Sequence, residues 1–510
     1  MSPLLLAVVV LLLAAMLGPA MLRTARLYWR CAAVPGPAVG VLRFAGPLDQ
    51  LLGKVKQAAR EFGTVVRVYA PPTVCIFVSD PVDLEIVFSS PHLQKKPPIV
   101  YDSLSPILGT GLATLNGETH RRHRKAISPS LHLDILKSFV PVFARNASTL
   151  CAQLDRHTGT GRTFNATPLL GSYSAQSICQ TVFSAGDIPL DLMEEQERFC
   201  DCLIRSSEML FHRVMRPWYS VDAIFKFSSK YQQYQDCVRG SESFVSKTLE
   251  HKIQLLESGE SPTDSKRKSF LDHFLTSDEA HVLSKRDIIE ELKTLSAGAV
   301  GTTMDLLSFF LLSLSISPDV QDKVAKELDD VFGDSNRPVE EDDLPHLKYL
   351  ECALKETLRL FPPLFTFSRT VSRDVKLPSG PVLPEGSVVA VMPYITHRNP
   401  QHFPDPEKFD PDRFLPEMSR ERHPFAFIPF SAGVRNCIGQ RYGMMSAKVV
   451  ASTILRQFRI LPCPDGPKRL EDFKIMAGVT FGLKDGANVR LERRWVKSNA
   501  QQARRGSCRG

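Results

Sequence analysis

The sequence lacks several features that define common functional classes. Its eleven cysteines include no CxxC pair, so neither a zinc module nor a regular disulfide framework is indicated. Its net charge of +8 is not gathered into one long basic arm. Of the acidic partners that this charge allows, nucleic acid is therefore less well supported than a membrane surface or an acidic protein. We expect no nucleic-acid partner, and mostly buried cysteines in a reducing compartment.

Long apolar runs are also absent, with one exception at the N-terminus. Leu4 to Leu22 carries no charge and, as a helix of about 1.5 Å per residue, would span about 28 Å, which matches a bilayer core. Arg23, Arg26 and Arg30 follow and predict a cytosolic position for the rest of the chain. A cleaved signal peptide is the alternative, since residues 18–20 suit a peptidase, but no basic segment precedes Leu4.

The remaining pattern predicts one large domain. We assign residues 1–22 to a transmembrane anchor, 23–37 to a basic, proline-containing linker and 38–510 to a catalytic domain. The expected elements, in chain order, are two short strands between Thr64 and Val78, a mostly helical region from Gly117 to Leu256, an exposed loop from Glu257 to Lys268, a long helix from Ser284 past Leu314 to Pro318, a helix from Leu344 to Phe361, short strands between Val371 and Val391, and a helix from Ile438 to Phe458.

The long helix contains a glycine-rich stretch at 297–301. Each of its two glycines, Gly298 and Gly301, weakens a helix by about 1 kcal/mol. One reason to keep them is that another group must approach the backbone closely. From Leu306 to Leu314 the helix is apolar on most of its sides, which predicts that it is buried.

The strongest chemical signal is the FxxGxRxCxG pattern from Phe430 to Gly439. Cys437 lies just before a helix, whose positive end stabilises a thiolate. Gly433 permits a turn tight enough for a flat ring to lie against the backbone, and Arg435 is placed to reach an anionic group on that ring. A buried structural cysteine is the commoner alternative for a lone cysteine, but several fixed positions favour the functional interpretation.

At these residues the chain resembles the cytochrome P450 family. The resemblance implies a mainly α (α+β) fold with a long central helix and a small β-rich part. It also implies haem b as cofactor, with Cys437 as the axial thiolate and Phe430 packed near the sulfur.

Two further segments support the resemblance. Glu356 and Arg359 are three residues apart on one helix face, and Arg413 follows in PDRF. In the family such residues form a structural triad beneath the haem. Thr302 and Thr303 match the family's distal threonine segment, where an acid before the threonine relays protons. Gly301 occupies the acid's position, which leaves room for poor coupling or an isomerase-like reaction, and back-bonding within the helix is the alternative role of the threonines.

Haem propionates need cations, and the resemblance gives Arg435, Arg369 and Arg124 this role. His120 stands where relatives usually have tryptophan and is a candidate donor to the same carboxylates. A basic face for an acidic electron donor is expected from five side chains, Arg121, Arg122, Lys125, Arg441 and Lys448. NADPH–cytochrome reductase, with cytochrome b5 as a second candidate, is the implied partner.

The segments around these motifs look most like family 4 of the P450s. Gly298 stands where some members carry a glutamate linked to haem, so we expect no covalent link. The resemblance implies monooxygenation of a lipophilic substrate (a fatty acid, hormone or xenobiotic) at the cytosolic face of the endoplasmic reticulum. Substrate contacts are expected from the central helix, Leu364–Ser368 and Val479–Leu483. A haem-thiolate isomerase or dehydratase and a non-enzymatic haem-binding scaffold are the alternatives.

Overall fold

A computed structural model describes residues 18–44, 50–183, 192–214, 216–258, 269–276, 282–364, 366–476 and 478–494. The chain divides into two compact units. The first contains residues 1–97, 366–399 and 423–436, and the second contains residues 98–365, 400–422 and 437–510.

After a helical segment at residues 18–31, the α-helices are α1 (Leu51–Phe62), α2 (Pro81–Ser89), α3 (Pro98–Tyr101), α4 (Ser105–Leu108), α5 (Gly117–Ile127), α6 (Leu133–Ser138), α7 (Val140–Asp155), α8 (Thr167–Val182), α9 (Met193–Val214), α10 (Asp222–Phe225), α11 (Tyr231–Glu257), α12 (Phe270–Thr276), α13 (Lys285–Ser315), α14 (Pro318–Phe332), α15 (Lys348–Leu360), α16 (Pro393–Thr396), α17 (Pro416–Ser419) and α18 (Gln440–Gln457). The strands are β1 (Val65–Ala70), β2 (Thr73–Val78), β3 (Phe164–Asn165), β4 (Phe367–Thr370), β5 (Val375–Lys376), β6 (Val382–Leu383), β7 (Val388–Val391), β8 (Phe458–Leu461), β9 (Ile475–Met476), β10 (Gly482–Leu483) and β11 (Asn488–Arg493).

The first unit is built on a four-stranded sheet of order β1-β2-β7-β4. The two predicted strands are present as β1 and β2, and they pair in antiparallel fashion with Val65 opposite Val78. The β7 strand joins β2 in parallel, and β4 closes the sheet in antiparallel pairing. Valine and isoleucine side chains of β1, β2 and β7 are buried, as expected of β-branched residues in a sheet that carries a core.

The last residues of the predicted linker contact the sheet of this unit. Cys31 and Val34 are buried. The guanidinium of Arg67 on β1 donates to the carbonyl oxygens of Ala32 and Gly36, and the Arg67 backbone N–H donates to that of Pro35. These bonds fix the segment on the sheet, so it is not a free spacer.

The second unit is mainly helical and is organised around α13. Ser284 caps this helix: its hydroxyl accepts from the Asp287 N–H at 3.1 Å, and the Asp287 carboxylate accepts from the Ser284 N–H at 2.9 Å. This capping box confirms the predicted start. The helix continues through the glycine-rich stretch, and every residue from Leu306 to Leu314 is buried. The predicted helix from Leu344 is divided: its first residues belong to the 3₁₀ turn Glu341–His346, which contains Pro345, and α15 begins only after Leu347.

Two smaller β elements and one disulfide complete this unit. The β3-β11-β8 sheet and the β9-β10 pair are antiparallel. Cys202 on α9 and Cys237 on α11 form a disulfide within a buried cluster, which departs from the expectation of reduced cysteines. The two helices pack together with both cysteines on their buried faces.

The predicted anchor lies mostly outside the described residues, which include only residues 18–22 of it. In the described part of the chain, the helix long and apolar enough to cross a membrane is α13. Most of α13 is buried within the protein, which is typical of a core helix.

Candidate haem-thiolate site

The residues predicted for the site fall in both units, and the cysteine motif passes from one to the other between Asn436 and Cys437. In the first unit, Gly433 has a φ of +67° and begins the 3₁₀ turn Gly433–Arg435. A Cβ at this position would collide with the Phe88 carbonyl oxygen on α2. Glycine is therefore required twice, by the left-handed backbone and by the close approach of α2.

Cys437 lies three residues before α18, as predicted. The Gly439 N–H donates to its sulfur and Arg124 adds positive charge, and both lower the pKa of the thiol. Burial outweighs them, so the pKa of Cys437 lies above its ordinary value. Cys437 as a whole residue is nevertheless exposed. The chain alone thus holds a thiol, and a bound metal ion would favour the thiolate because metal binding displaces the proton.

The first unit gathers cations near the predicted Arg369 and Arg435. Arg369 is buried on β4 and donates to the Ser368 carbonyl oxygen at 2.9 Å. Burial lowers the pKa of the Lys96 amine well below the usual range, and repulsion by the charges of Arg369 and Arg435 lowers it further. A bound anion would relieve this repulsion. Sequence reasoning missed Lys96, although Lys95-Lys96 precedes a proline pair in the sequence.

Arg124 and His120 belong to α5 of the second unit. Arg124 is half-buried; burial lowers the pKa of its guanidinium and the Cys437 sulfur raises it, so these two predicted residues are brought together. His120 is buried on the same helix. Its neighbour His123 contacts Glu291 on α13 at 2.7 Å, a buried pair that the sequence did not indicate.

The structure brings Glu356, Arg359 and Arg413 together. Arg359 donates to both oxygens of Glu356, at 2.7 and 2.8 Å, and Arg413 Nε lies 3.6 Å from the Glu356 carboxylate. Arg359 also donates to the Pro406 and Lys408 carbonyl oxygens. The pair therefore fixes α15 to the loop before the cysteine motif within the second unit.

The predicted basic face needs one correction. Arg121, Arg122, Lys125 and Arg441 are exposed. Lys448 is instead buried and donates to the Glu351 carboxylate at 2.9 Å and to the Leu344 carbonyl oxygen. A buried lysine requires such partners, and α18 presents this one inward.

The centre of α13 leaves open space at its glycines. A Cβ on Gly298 would meet no protein atom within 4 Å, and one on Gly301 would reach only Thr480, at 3.9 Å. The Thr302 hydroxyl donates to the Gly298 carbonyl oxygen at 2.8 Å, which is the back-bonding alternative, and Thr303 is buried.

The expected substrate-contact segments meet in part. Leu364 pairs with Thr480 in an isolated bridge, and the Phe481 N–H donates to the Pro363 carbonyl oxygen at 2.7 Å. Thr480 then lies beside Gly301 on α13. The segment after Val479 therefore borders the open part of the central helix.

These features fit the haem that the sequence resemblance implies. The second unit offers an exposed cysteine whose thiol accepts an N–H group, and a helix with space at its glycines. The first unit offers clustered cations suited to carboxylates. No cluster of three metal-binding side chains occurs among the residues that the structure describes.

Comparison with known proteins agrees with this chemistry. A family model of cytochrome P450 matches residues 32–483. The chain is 33% identical over 473 residues to cytochrome P450 4V2 of Rattus norvegicus, covering 90% of this chain and 88% of that protein. It is 34% identical to cytochrome P450 4V2 of Homo sapiens, with 83% and 81% coverage, and 31% identical to cytochrome P450 4c3 of Drosophila melanogaster, with 92% and 91% coverage. The chain therefore belongs to the cytochrome P450 family, is most like family 4, and is a haem-dependent monooxygenase with an axial cysteine thiolate.

Proposed function

We propose that this P450 inserts one oxygen atom into a C–H bond of a lipophilic substrate, with Cys437 as its axial ligand. The observation that carries the proposal is Cys437, an exposed residue whose thiol accepts a hydrogen bond from the Gly439 N–H just before α18. The segment around Val479 and Phe481 is largely apolar, which suits a lipophilic substrate.

Most of the other predicted residues, together with Lys96, have a proposed role in holding the cofactor. The side chains proposed to bind propionate carboxylates are Arg369, Arg435, Lys96, Arg124 and His120. Phe430, which is half-buried, packs near the sulfur and limits its contact with water. Glu356, Arg359 and Arg413 hold the preceding loop and do not react.

When bound, haem supplies the iron chemistry that activates dioxygen. The chain's own residues tune and confine that chemistry. The Gly439 N–H and the Arg124 charge stabilise negative charge on sulfur. Thr302 and Thr303 offer hydroxyls near the open stretch of α13, and Gly298 and Gly301 keep that stretch free of side chains.

The membrane assignment is part of the proposal. Residues 1–22 form the anchor, and the catalytic domain faces the cytosol at the endoplasmic reticulum. Support comes from the uncharged run before Arg23 and from the arginines after it. The exposed Arg121, Arg122, Lys125 and Arg441 are proposed to receive an acidic reductase, with cytochrome b5 as a second donor.

Turnover in reconstituted membranes tests the proposed reaction. The full-length protein is combined with NADPH–cytochrome reductase and screened with fatty acids, sterols and terpenoids, and matched assays contain lipid hydroperoxides without reductase. We expect NADPH-dependent hydroxylated products. Hydroperoxide rearrangement without reductase, together with no NADPH-dependent product, would overturn the proposal in favour of the isomerase that the missing acid at Gly301 permits.

A further inference from the structure

A buried carboxyl group lies one helical turn after the missing acid. Asp305 on α13 is only 3% exposed. Because it follows Gly301 by four residues, the two positions share one face of the helix. Burial raises the pKa of Asp305 to about 7, and the hydrogen bond from Thr480 opposes this rise. Among the described residues, no charged neighbour contributes to the shift.

Asp305 belongs to a chain of hydrogen-bonding side chains. Its carboxyl is hydrogen-bonded to Thr480, whose Oγ1 lies 2.9 Å from Ser207 Oγ on α9. The Thr480 N–H also donates to Ser207 Oγ, at 2.9 Å, which fixes the threonine. The second carboxyl oxygen of Asp305 has no hydrogen-bond partner in the described part of the chain. Burying an oxygen without a hydrogen-bond partner costs more free energy when it belongs to a charged carboxylate than when it belongs to a neutral carboxylic acid.

Thr480 connects this carboxyl to the open stretch of the central helix. Its Oγ1 and Cγ2 atoms each lie 3.9 Å from the position of a Cβ on Gly301. Thr480 is half-buried, whereas Asp305 is enclosed. The hydroxyl therefore stands between the buried acid and the position from which the usual acid is missing.

We propose that Asp305 holds the proton that an acid at Gly301 would otherwise supply, and delivers it through the Thr480 hydroxyl. This inference rests on the proposed monooxygenase function. Inserting one oxygen atom of dioxygen consumes two electrons from NADPH and two protons, and the other oxygen atom leaves as water. The Thr480 O–H bond breaks as its proton moves toward that oxygen, a new O–H bond forms with the proton from Asp305, and the carboxylate regains a proton from water. Asp305 acts through Thr480 and is a positioning residue.

A purely structural role for Asp305 makes different predictions. If the carboxyl only ties the Thr480 segment to α13, an amide of the same shape serves equally well. If it supplies a proton, the amide fails, because asparagine has no titratable proton. A new acid on the same helix face can then restore the lost function only if Asp305 supplies a proton.

The test uses four variants of the full-length enzyme. Asp305→Asn removes the proton, Thr480→Val removes the relaying hydroxyl at similar volume, and Asp305→Asn with Gly301→Asp restores an acid. Ser308→Ala is the matched control, because this buried serine lies on the same helix and its hydroxyl contacts Thr167 at 3.1 Å. Ferrous-CO spectra confirm that each variant holds haem, and product formed per NADPH consumed is the main measurement.

We expect Asp305→Asn and Thr480→Val to lower product per NADPH at least fivefold with unchanged CO spectra. Ser308→Ala should match the wild type, and the double variant should recover at least half of the loss. Infrared titration gives a readout that needs no turnover: the band of a protonated carboxylic acid should disappear as pH rises through about 7 and be absent from Asp305→Asn.

Two results would overturn the inference. Normal coupling in Asp305→Asn shows that no proton passes from this carboxyl, and a loss that Gly301→Asp fails to restore shows a structural role. Failure of the wild type to form any NADPH-dependent product is a different result, because it removes the proposed function itself.

Discussion

The Glu356 carboxylate accepts two hydrogen bonds from Arg359, and both side chains are fully enclosed by the second unit. Burial raises the pKa of Glu356 above its ordinary value, and Arg359 is the main group that opposes this rise. The pair is therefore mutually dependent: each charge is tolerated in the interior because the other is present.

Breaking this pair should be costly. Arg359→Ala leaves a buried carboxylate and unpaired carbonyl oxygens at Pro406 and Lys408, so we expect a loss of about 3–5 kcal/mol in the free energy of unfolding. Denaturant unfolding and haem content measure it. The control Arg198→Ala removes an exposed pair with Glu194 on α9 and should cost about 0.5 kcal/mol or less. Equal effects in the two variants would contradict the assigned role.

Lys96 should bind an anionic group of the cofactor. Lys96→Met removes one of three clustered cations, so we expect haem transfer to apomyoglobin to be about tenfold faster, equivalent to about 1.4 kcal/mol. Lys95→Met is the control, because the Lys95 side chain is exposed and its contact with Thr370 is made by the backbone. Identical transfer rates in both variants would remove Lys96 from the proposed haem site.

Gly433 should tolerate no side chain. Gly433→Ala combines a positive φ with a collision against the Phe88 carbonyl, and we expect a loss of stability of about 1–3 kcal/mol together with reduced haem binding. Gly443→Ala on α18 is the matched control: its added Cβ meets nothing within 4 Å, so it should stabilise the helix by about 1 kcal/mol. Thermal unfolding of both variants decides the question, and a neutral Gly433→Ala would refute the close approach.

Asp305 should make stability fall with pH. An acid whose pKa is raised in the folded state holds its proton longer there than in the unfolded chain, so the destabilisation begins above its ordinary pKa and is complete above about 7. The free energy of unfolding of Asp305→Asn, measured relative to the wild type, should therefore be about 2 kcal/mol higher at pH 8 than at pH 5. This magnitude follows from about 1.36 kcal/mol for each unit of pKa difference. Denaturant unfolding at both pH values measures the difference. Asp330→Asn, at an exposed position on α14, should show none, and a flat difference for Asp305→Asn would exclude the buried acid.

Local patterns were enough to predict much of this fold. The start of α13 follows from Ser284 and Asp287, which satisfy each other's backbone groups, and the Glu356–Arg359 pair follows from their spacing on one helix. The β1–β2 pair likewise follows from two β-branched runs joined at Pro71-Pro72. In each case the interacting residues are close in sequence.

Features that depend on distant parts of the chain were missed. Thr480 reaches Asp305 only because the segment after Val479 returns to α13, and the Lys96 amine meets Arg369 only through the packing of β4 within its unit. Lys448 was wrongly assigned to a basic face, because the sequence of α18 does not show which side of the helix is buried. Helical periodicity fixes faces but not partners.

Cys437 remains the central claim, and one spectrum tests it most directly. Cys437→Ala is compared with Cys352→Ala, which removes another cysteine of the second unit, and circular dichroism confirms that both are folded. With Cys437 as the axial ligand, the ferrous-CO spectrum of Cys437→Ala should lose its thiolate-type absorption band, whereas Cys352→Ala should retain it. A thiolate-type spectrum in folded Cys437→Ala would contradict the assignment.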